Sequence, residues 1–205
     1  MTDNNKTEFS PTSEPEIQPR TTLQKGAIVL RAPRPTDLQE RLNYHKYPEI
    51  YRMYGVSLQQ EEPVTPEAAL EWYRWISRES LRWIIEADGK LAGVAGLHSL
   101  NEEDRRARFA IGLNHPDLLG RGIGTTATRL VLRHAFEEMG LHRVDLRVLA
   151  YNKRAIASYR KCGFVQEGVE RDSALVNGKW EDDLMMSILE DEYRGLAKSW
   201  QTEVE

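Results

Sequence analysis

The feature that most constrains this 205-residue chain is the run Gly120-Arg121-Gly122-Ile123-Gly124, set between a strand pattern and a helix pattern. Arg108-Phe109-Ala110-Ile111-Gly112-Leu113 reads as a strand. From about Thr125 to Met139 the spacing predicts a helix, with Ala127, Val131, Ala135 and Met139 in register and Gly140 as its stop. Glycines let the backbone approach a ligand closely, and the helix that follows aims its unpaired N–H groups and positive dipole end at the same point. That combination suits a pyrophosphate, although by itself such a loop serves equally well as a plain helix cap. A Walker A loop needs a lysine before its Ser/Thr, whereas Thr125-Thr126 follow Gly124 directly. A dinucleotide fold needs G-x-G-x-x-G straight after a strand, and this loop is G-x-G-x-G with Pro116 between it and Leu113. That spacing outweighs Asp145, which stands where a ribose-binding acid would be expected.

The rest of the chain supplies a sheet. Ala27 to Arg31 is a short strand pattern closed by Pro33 and Pro35, after which Thr36 or Asp37 can cap a helix running through Leu38, Leu42 and His45. Pro63 and Pro66 break the chain before a helix with Ala69, Tyr73 and Ile76 on one face. Residues 83–87 and 91–97 flank Asp88-Gly89 in a hairpin pattern. Past Gly140 come a strand from Val144 to Leu149, a helix from Arg154 to Cys162, and strands Val165 to Leu175 and Trp180 to Leu189 joined at Asn177-Gly178. Early helices, antiparallel-type strands, two strand-helix units and a closing hairpin make a mixed α/β domain.

Composition sets limits. A net charge of -4 argues against a nucleic-acid footprint, and 40% hydrophobic with 29% charged residues is globular. The single Cys162 cannot form an internal disulfide, and the five histidines show no metal-ligand spacing, so no metal is expected. Residues 1–25 are polar, contain no apolar run and are expected to be a disordered tail; 26–194 form the domain, and 195–205 a second tail. No stretch is long and apolar enough to span a membrane, and the cytoplasm is the default compartment. Core positions are expected for Trp72, Trp75 and Trp180; homo-oligomerisation stays open.

A second motif joins the glycine loop downstream: Asn152-Lys153-Arg154-Ala155-Ile156-Ala157-Ser158-Tyr159-Arg160-Lys161-Cys162-Gly163-Phe164. Together the two resemble the GCN5-related N-acetyltransferase (GNAT) superfamily, whose patterns are Q/R-x-x-G-x-G/A and N-x-x-A-x-x-x-Y-x-K-x-G-F. The likeness spans about residues 27 to 192. It is nearest the branch of spermidine, ribosomal-protein N-terminal and some antibiotic acetyltransferases, which share the tail seen here as Asn177 to Asp182. Leu119 departs from the pattern, standing where Gln or Arg is usual.

The resemblance implies a mostly antiparallel sheet flanked by helices, with one parallel strand pair forming an acetyl-CoA cleft. It implies transfer of the acetyl group from acetyl-CoA to a primary amine: a small-molecule amine or antibiotic, a polyamine, or a protein N-terminus. Backbone amides of Arg121, Gly122, Ile123, Gly124 and Thr125 would hold the pyrophosphate. Main-chain groups of the strand ending at Leu113 would meet the pantetheine and the thioester oxygen, and Asn152 would bond the pantetheine. Arg121, Arg154 and Lys161 are candidates for the 3′-phosphate.

Tyr159 is the proposed general acid, since a phenol of pKa about 10 still holds its proton at neutral pH. Only about one part in 2,500 of an alkylamine of pKa ~10.4 is neutral at pH 7, so a base should line the acceptor side. Polyamine-type members commonly carry glutamates where this chain has Ser99 and Arg108, which counts against a spermidine acetyltransferase. His98, Glu102 and Glu103 are the candidate bases. Tyr54, Glu61 and Glu62, with Tyr47 and Tyr51, fall where members build the acceptor pocket. A different class of reading is a non-catalytic CoA-binding regulatory module of the same fold.

Overall fold

The computed structural model describes residues 17–202. Strands β1 (Leu23–Lys25) and β2 (Ile28–Arg31) form a hairpin. Helix α1 (Pro35–Leu42) opens on Pro35, where a missing N–H costs nothing, and Asp37 accepts from the Arg34 amide at 2.6 Å. A two-residue strand, β3 (His45–Lys46), leads into α2 (Pro48–Arg52) and then β4 (Glu62–Pro63), which pairs back with β3. Helix α3 (Pro66–Arg78) is capped by Thr65, whose hydroxyl accepts from the Ala68 amide at 3.2 Å. It buries Ala69, Tyr73 and Ile76, the face its apolar spacing predicts. Then follow β5 (Arg82–Ala87), β6 (Lys90–Asn101), β7 (Arg106–Leu113), α4 (Ile123–Arg133), β8 (Arg143–Leu149), α5 (Lys153–Lys161), β9 (Val165–Val176), β10 (Lys179–Leu189) and α6 (Glu190–Thr202).

Eight strands form one sheet in the order β1-β2-β5-β6-β7-β8-β10-β9, antiparallel at every step except β7–β8. The expected mixed, mostly antiparallel architecture with one parallel pair is what the chain adopts. The main core lies on the face covered by α4, α5 and α6, around Phe109, Val131, Leu146, Tyr159 and Met186. A smaller cluster of Ile76, Ile84 and Leu91, backed by Tyr44 and Trp72, lies on the opposite face under α1 and α3. Each fully buried Leu or Ile contributes ~1.5–3 kcal/mol. Between α1 and the sheet, Arg31 holds Asp37 with two hydrogen bonds of 2.7 and 2.9 Å and Glu86 with a third of 2.5 Å. Arg31 and Asp37 are buried, so losing Asp37 would leave the buried guanidinium with Glu86 alone.

Several expectations are corrected. The first helix stops at Leu42 rather than running through His45, because the Asn43 amide turns back onto Glu40 and Arg41 carbonyls and the Tyr44 hydroxyl donates to the Leu91 carbonyl. The segment expected to be a tail through residue 25 is ordered from residue 17: Leu23 is buried, and the Thr21 carbonyl accepts from the Trp83 indole at 2.7 Å. Residues 1–16 lie outside those described. The boundary expected at 194/195 falls inside α6, which packs Tyr193 against Phe136 with ring centroids 4.8 Å apart and buries Trp200 beside it. Two tryptophans expected in the core are exposed. Trp75 is 41% exposed beneath the Arg82 guanidinium, and Trp180 is 57% exposed. Among the described residues no helix is long and apolar enough to cross a membrane.

Candidate active site

The parallel pair is short. β7 and β8 are in register only where Arg106, Ala107 and Arg108 meet Arg143, Val144 and Asp145. Beyond that point β7 keeps its β6 partner and β8 its β10 partner, but the two diverge. A cavity of about 780 Å³ fills the opening, bounded by residues 109–113 on one side and 147–149 on the other. At its wide end stand Gly120 and Gly122, both with left-handed backbones (φ 76° and 79°). Gly122 is the N-cap of α4 and brings no side-chain acceptor, so the first-turn amides of Ile123, Gly124 and Thr125 take no partner among the described residues. They face the cavity, as an anion would require. Thr125 also ties this helix to α5, its hydroxyl 2.8 Å from that of Ser158.

Tyr159 and Asn152 approach the cavity from α5. Asn152 caps the helix, its side-chain oxygen accepting from the Ala155 amide at 3.2 Å, so only its amide nitrogen is available to a ligand. Tyr159 is buried edge-on against Phe109 and Phe164. Burial, with the nearby Tyr54 phenol and Cys162 thiol adding to it, raises its pKa well above the ordinary tyrosine value. The phenol therefore keeps its proton throughout the pH range in which a protein is folded.

The cavity continues to the other face of the sheet. Strand alternation places Arg108, Ala110 and Gly112 of β7 on that face, with Arg147 of β8 and His98 of β6, while Ile50, Met53 and Tyr54 cover them from α2 and its exit. Tyr54 is 47% exposed as a residue, yet its hydroxyl is the buried end, donating to the Leu113 carbonyl at 3.0 Å. Desolvation pushes its pKa up to about 12, against the opposing effect of that bond. A Cβ on Gly112 would lie 2.7 Å from the Tyr54 oxygen, which explains the glycine. His98 Nδ1 sits 3.0 Å from the Ser99 hydroxyl; burial and the Arg82 and Arg108 charges lower its pKa, so the ring is neutral at pH 7.

An acetyltransferase (GNAT) domain model matches residues 27–165, about two thirds of the chain. The chain belongs to the GNAT family. It is 34% identical to the spermidine N(1)-acetyltransferase of Escherichia coli (strain K12) over 112 residues, 55% of this chain and 60% of that protein. It is 35% identical over 108 residues to YdaF of Bacillus subtilis (strain 168), provisionally named a ribosomal N-acetyltransferase, covering 53% of this chain and 58% of that one. The matches thus span about three fifths of these curated relatives. Among solved structures, the spermidine N-acetyltransferase of Vibrio cholerae in complex with CoA and spermine aligns with a TM-score of 0.67 at 28% identity, over 82% of this chain and 98% of that one.

Against this GNAT frame the expected site residues divide. Leu113, Gly122, Ile123, Gly124, Thr125, Asn152, Arg154, Tyr159, Lys161, His98 and Tyr54 all border the cavity. Arg121 does not border it, and its guanidinium turns to Asp88 at 3.3 Å. Glu102 and Glu103 do not reach the site. They sit exposed in the tight turn between β6 and β7, where the paired strands carry them past it, which leaves His98 as the one candidate base that borders the cavity. Glu61 and Glu62 are also absent from it, held on the β3–β4 ribbon by His45 and by Lys46, the latter at 3.8 Å. Arg147 and Asp183 border the cavity and had not been singled out. Alternation was the available signal: Val144, Leu146 and Val148 point into the core, which turns Asp145 and Arg147 to the other face. Among the described residues no cluster of three His, Cys, Asp or Glu side chains is placed to hold a metal.

Proposed function

We propose that this chain transfers the acetyl group of acetyl-CoA directly to a primary amine. The observation that carries the reading is the β7–β8 divergence, a cleft with orphan amides at its wide end and the Tyr159 phenol on its wall. The residues fit the co-substrate: amides of Ile123, Gly124 and Thr125 for the pyrophosphate, main chain of residues 109–113 for the pantetheine, and Arg154 and Lys161 for outer phosphate charge. Acetyl-CoA supplies the activated carbonyl. Attack by the neutral amine forms the C–N bond and breaks the C–S bond. Tyr159 donates to the departing sulfur. Its raised pKa makes full surrender of the proton costly, so a strong hydrogen bond to the thiolate is the larger part of its role. His98, neutral and at the acceptor face, is placed to take the proton that the ammonium must lose.

The purified chain, given acetyl-CoA and a broad amine panel, should release free CoA thiol. Tyr159→Phe should lower kcat ~100-fold or more while acetyl-CoA binding stays within about threefold. Full activity in that variant refutes the role of Tyr159. Acetyl-CoA binding without thiol release for any amine would instead establish a CoA-binding regulatory module.

A further inference from the structure

The acceptor face carries a charge arrangement that the acetyl-transfer reading alone does not explain. Arg108 spends only its Nε on a partner, donating to Asp145 Oδ1 at 2.7 Å. Its two terminal nitrogens take no partner among the described residues, and its side chain, 35% exposed, borders the cavity. Asp145 lies beneath it, 12% exposed and outside the cavity lining, so it fixes the guanidinium without presenting a carboxylate of its own. Arg147 differs: its terminal Nη1 donates to Glu170 at 2.7 Å, a carboxylate outside the lining, so its fork is already engaged. Asp183, 3.9 Å from Arg147 Nε, is the one carboxylate among the described lining residues. The acceptor face thus presents one guanidinium fork whose terminal nitrogens take no partner among the described residues, that of Arg108, beside the uncharged His98 imidazole, while Arg147 is matched by Glu170 and Asp183.

A polyamine entering here would bring its positive charges to the Arg108 guanidinium and offer nothing for that fork to bind. A carboxylate matches that fork in both geometry and sign. We propose that the acceptor is a small primary amine that also bears a carboxylate, and that Arg108 grips this carboxylate through Nη1 and Nη2 while the amine reaches the thioester. The inference rests on the acetyl-transfer reading. The reaction balances as ammonium plus acetyl-CoA giving N-acetyl product, CoA thiol and one proton released to solvent. Arg108 acts as a specificity determinant.

The test uses the full chain, acetyl-CoA and matched acceptors: the common amino acids, β-alanine and 4-aminobutyrate, each beside its carboxamide, with spermidine and spermine alongside. The carboxamide removes the negative charge and also lowers the amine pKa, so amine basicity favours the carboxamide and cannot mimic the expected result. At least one carboxylate acceptor should exceed its carboxamide and both polyamines at least tenfold in kcat/KM. Arg108→Gln should raise KM for that acceptor at least tenfold more than KM for its carboxamide. If this variant fails to fold with Asp145 unpaired, Arg108→Gln/Asp145→Asn serves in its place. Carboxamides or polyamines equal to or better than the carboxylates overturn this inference and leave acetyl transfer standing, as does acetylation confined to peptide N-termini. No thiol release with any acceptor overturns both.

Discussion

Gly112 and Tyr54 should behave as one unit. The Gly112 backbone is ordinary strand with no positive φ, so alanine is conformationally permitted there and, in open space, would stabilise by ~0.5–1 kcal/mol through reduced chain entropy. The obstacle is Tyr54, with its oxygen 2.7 Å and its Cζ 3.1 Å from the new Cβ. Ordinary contact requires the ring to retreat by roughly 0.7 Å or more, which stretches the 3.0 Å bond to the Leu113 carbonyl beyond a useful length. That bond is worth ~0.5–1.5 kcal/mol, and the crowding adds ~1 kcal/mol. Gly112→Ala should therefore destabilise the otherwise unaltered chain by ~1–2 kcal/mol in urea unfolding. In a Tyr54→Ala background the same substitution should be neutral or stabilising by up to ~0.5 kcal/mol, a coupling of ~1–2.5 kcal/mol. Equal costs in both backgrounds would refute the claim that the phenol dictates the glycine. Because Tyr54 covers the acceptor face, Gly112→Ala should also raise the acceptor KM by several-fold more than that of acetyl-CoA.

With His98 as the base, log kcat/KM should rise with slope 2 below the His98 pKa, which lies under 6.5, because imidazole and amine must both shed protons; above it the slope falls to 1 as the amine alone titrates. His98→Gln should show slope 1 throughout, and a wild-type slope of 1 on both sides of the His98 pKa measured by NMR titration removes His98 from the mechanism. Gly122→Ala places an L-residue at φ 79° with no steric clash, so it should cost ~1–2 kcal/mol of stability from backbone strain together with weaker CoA binding. Gly124→Ala, with neither positive φ nor a close neighbour, should spare stability and weaken CoA binding ~10-fold by crowding the pyrophosphate; calorimetry with CoA separates the two, and unchanged affinity in both refutes the anion site. Trp200→Ala should destabilise by ~3 kcal/mol in urea unfolding, since the ring is 7% exposed between Tyr193 and the Arg129 guanidinium; a loss below ~1 kcal/mol would mean that α6 is only loosely held.

The sheet was legible because its strands carry local signals: alternation in residues 144–149, the Asn177-Gly178 turn, and the glycine break after residue 113. The proposed donor side could be read for a related reason. It is built from backbone at a helix start and from two side chains on one short helix, all within a contiguous stretch of chain. The acceptor side draws on α2, β6, β7, β8 and β10, and nothing local reports that Arg147 and Asp183 share a cavity with Tyr54. Glu102 and Glu103 misled because nearness in sequence to position 99 is not nearness in space: a strand advances ~3.3 Å per residue, and the turn lies beyond the site. The C-terminal helix was legible and overlooked: Tyr193, Leu196, Ala197 and Trp200 fall at i, i+3, i+4 and i+7 and all pack against the core, although Gly195 and the flanking charges make the segment read as polar.

The divergence of β7 from β8 gives the sheet an edge in its middle. Edges expose unpaired amides and carbonyls that invite a foreign strand, and proteins guard the outer ones with charge or cover. Here the interior edge opens on one side only, since β7 is held by β6 and β8 by β10 on their far sides. The amide-bearing pantetheine arm of CoA would take the place of the missing strand. Occupation should then register as ordinary strand completion: the alternate amides of residues 109–113 that point into the cleft rather than to β6 should gain protection against hydrogen exchange when CoA is added, and those of β5 should be unaffected.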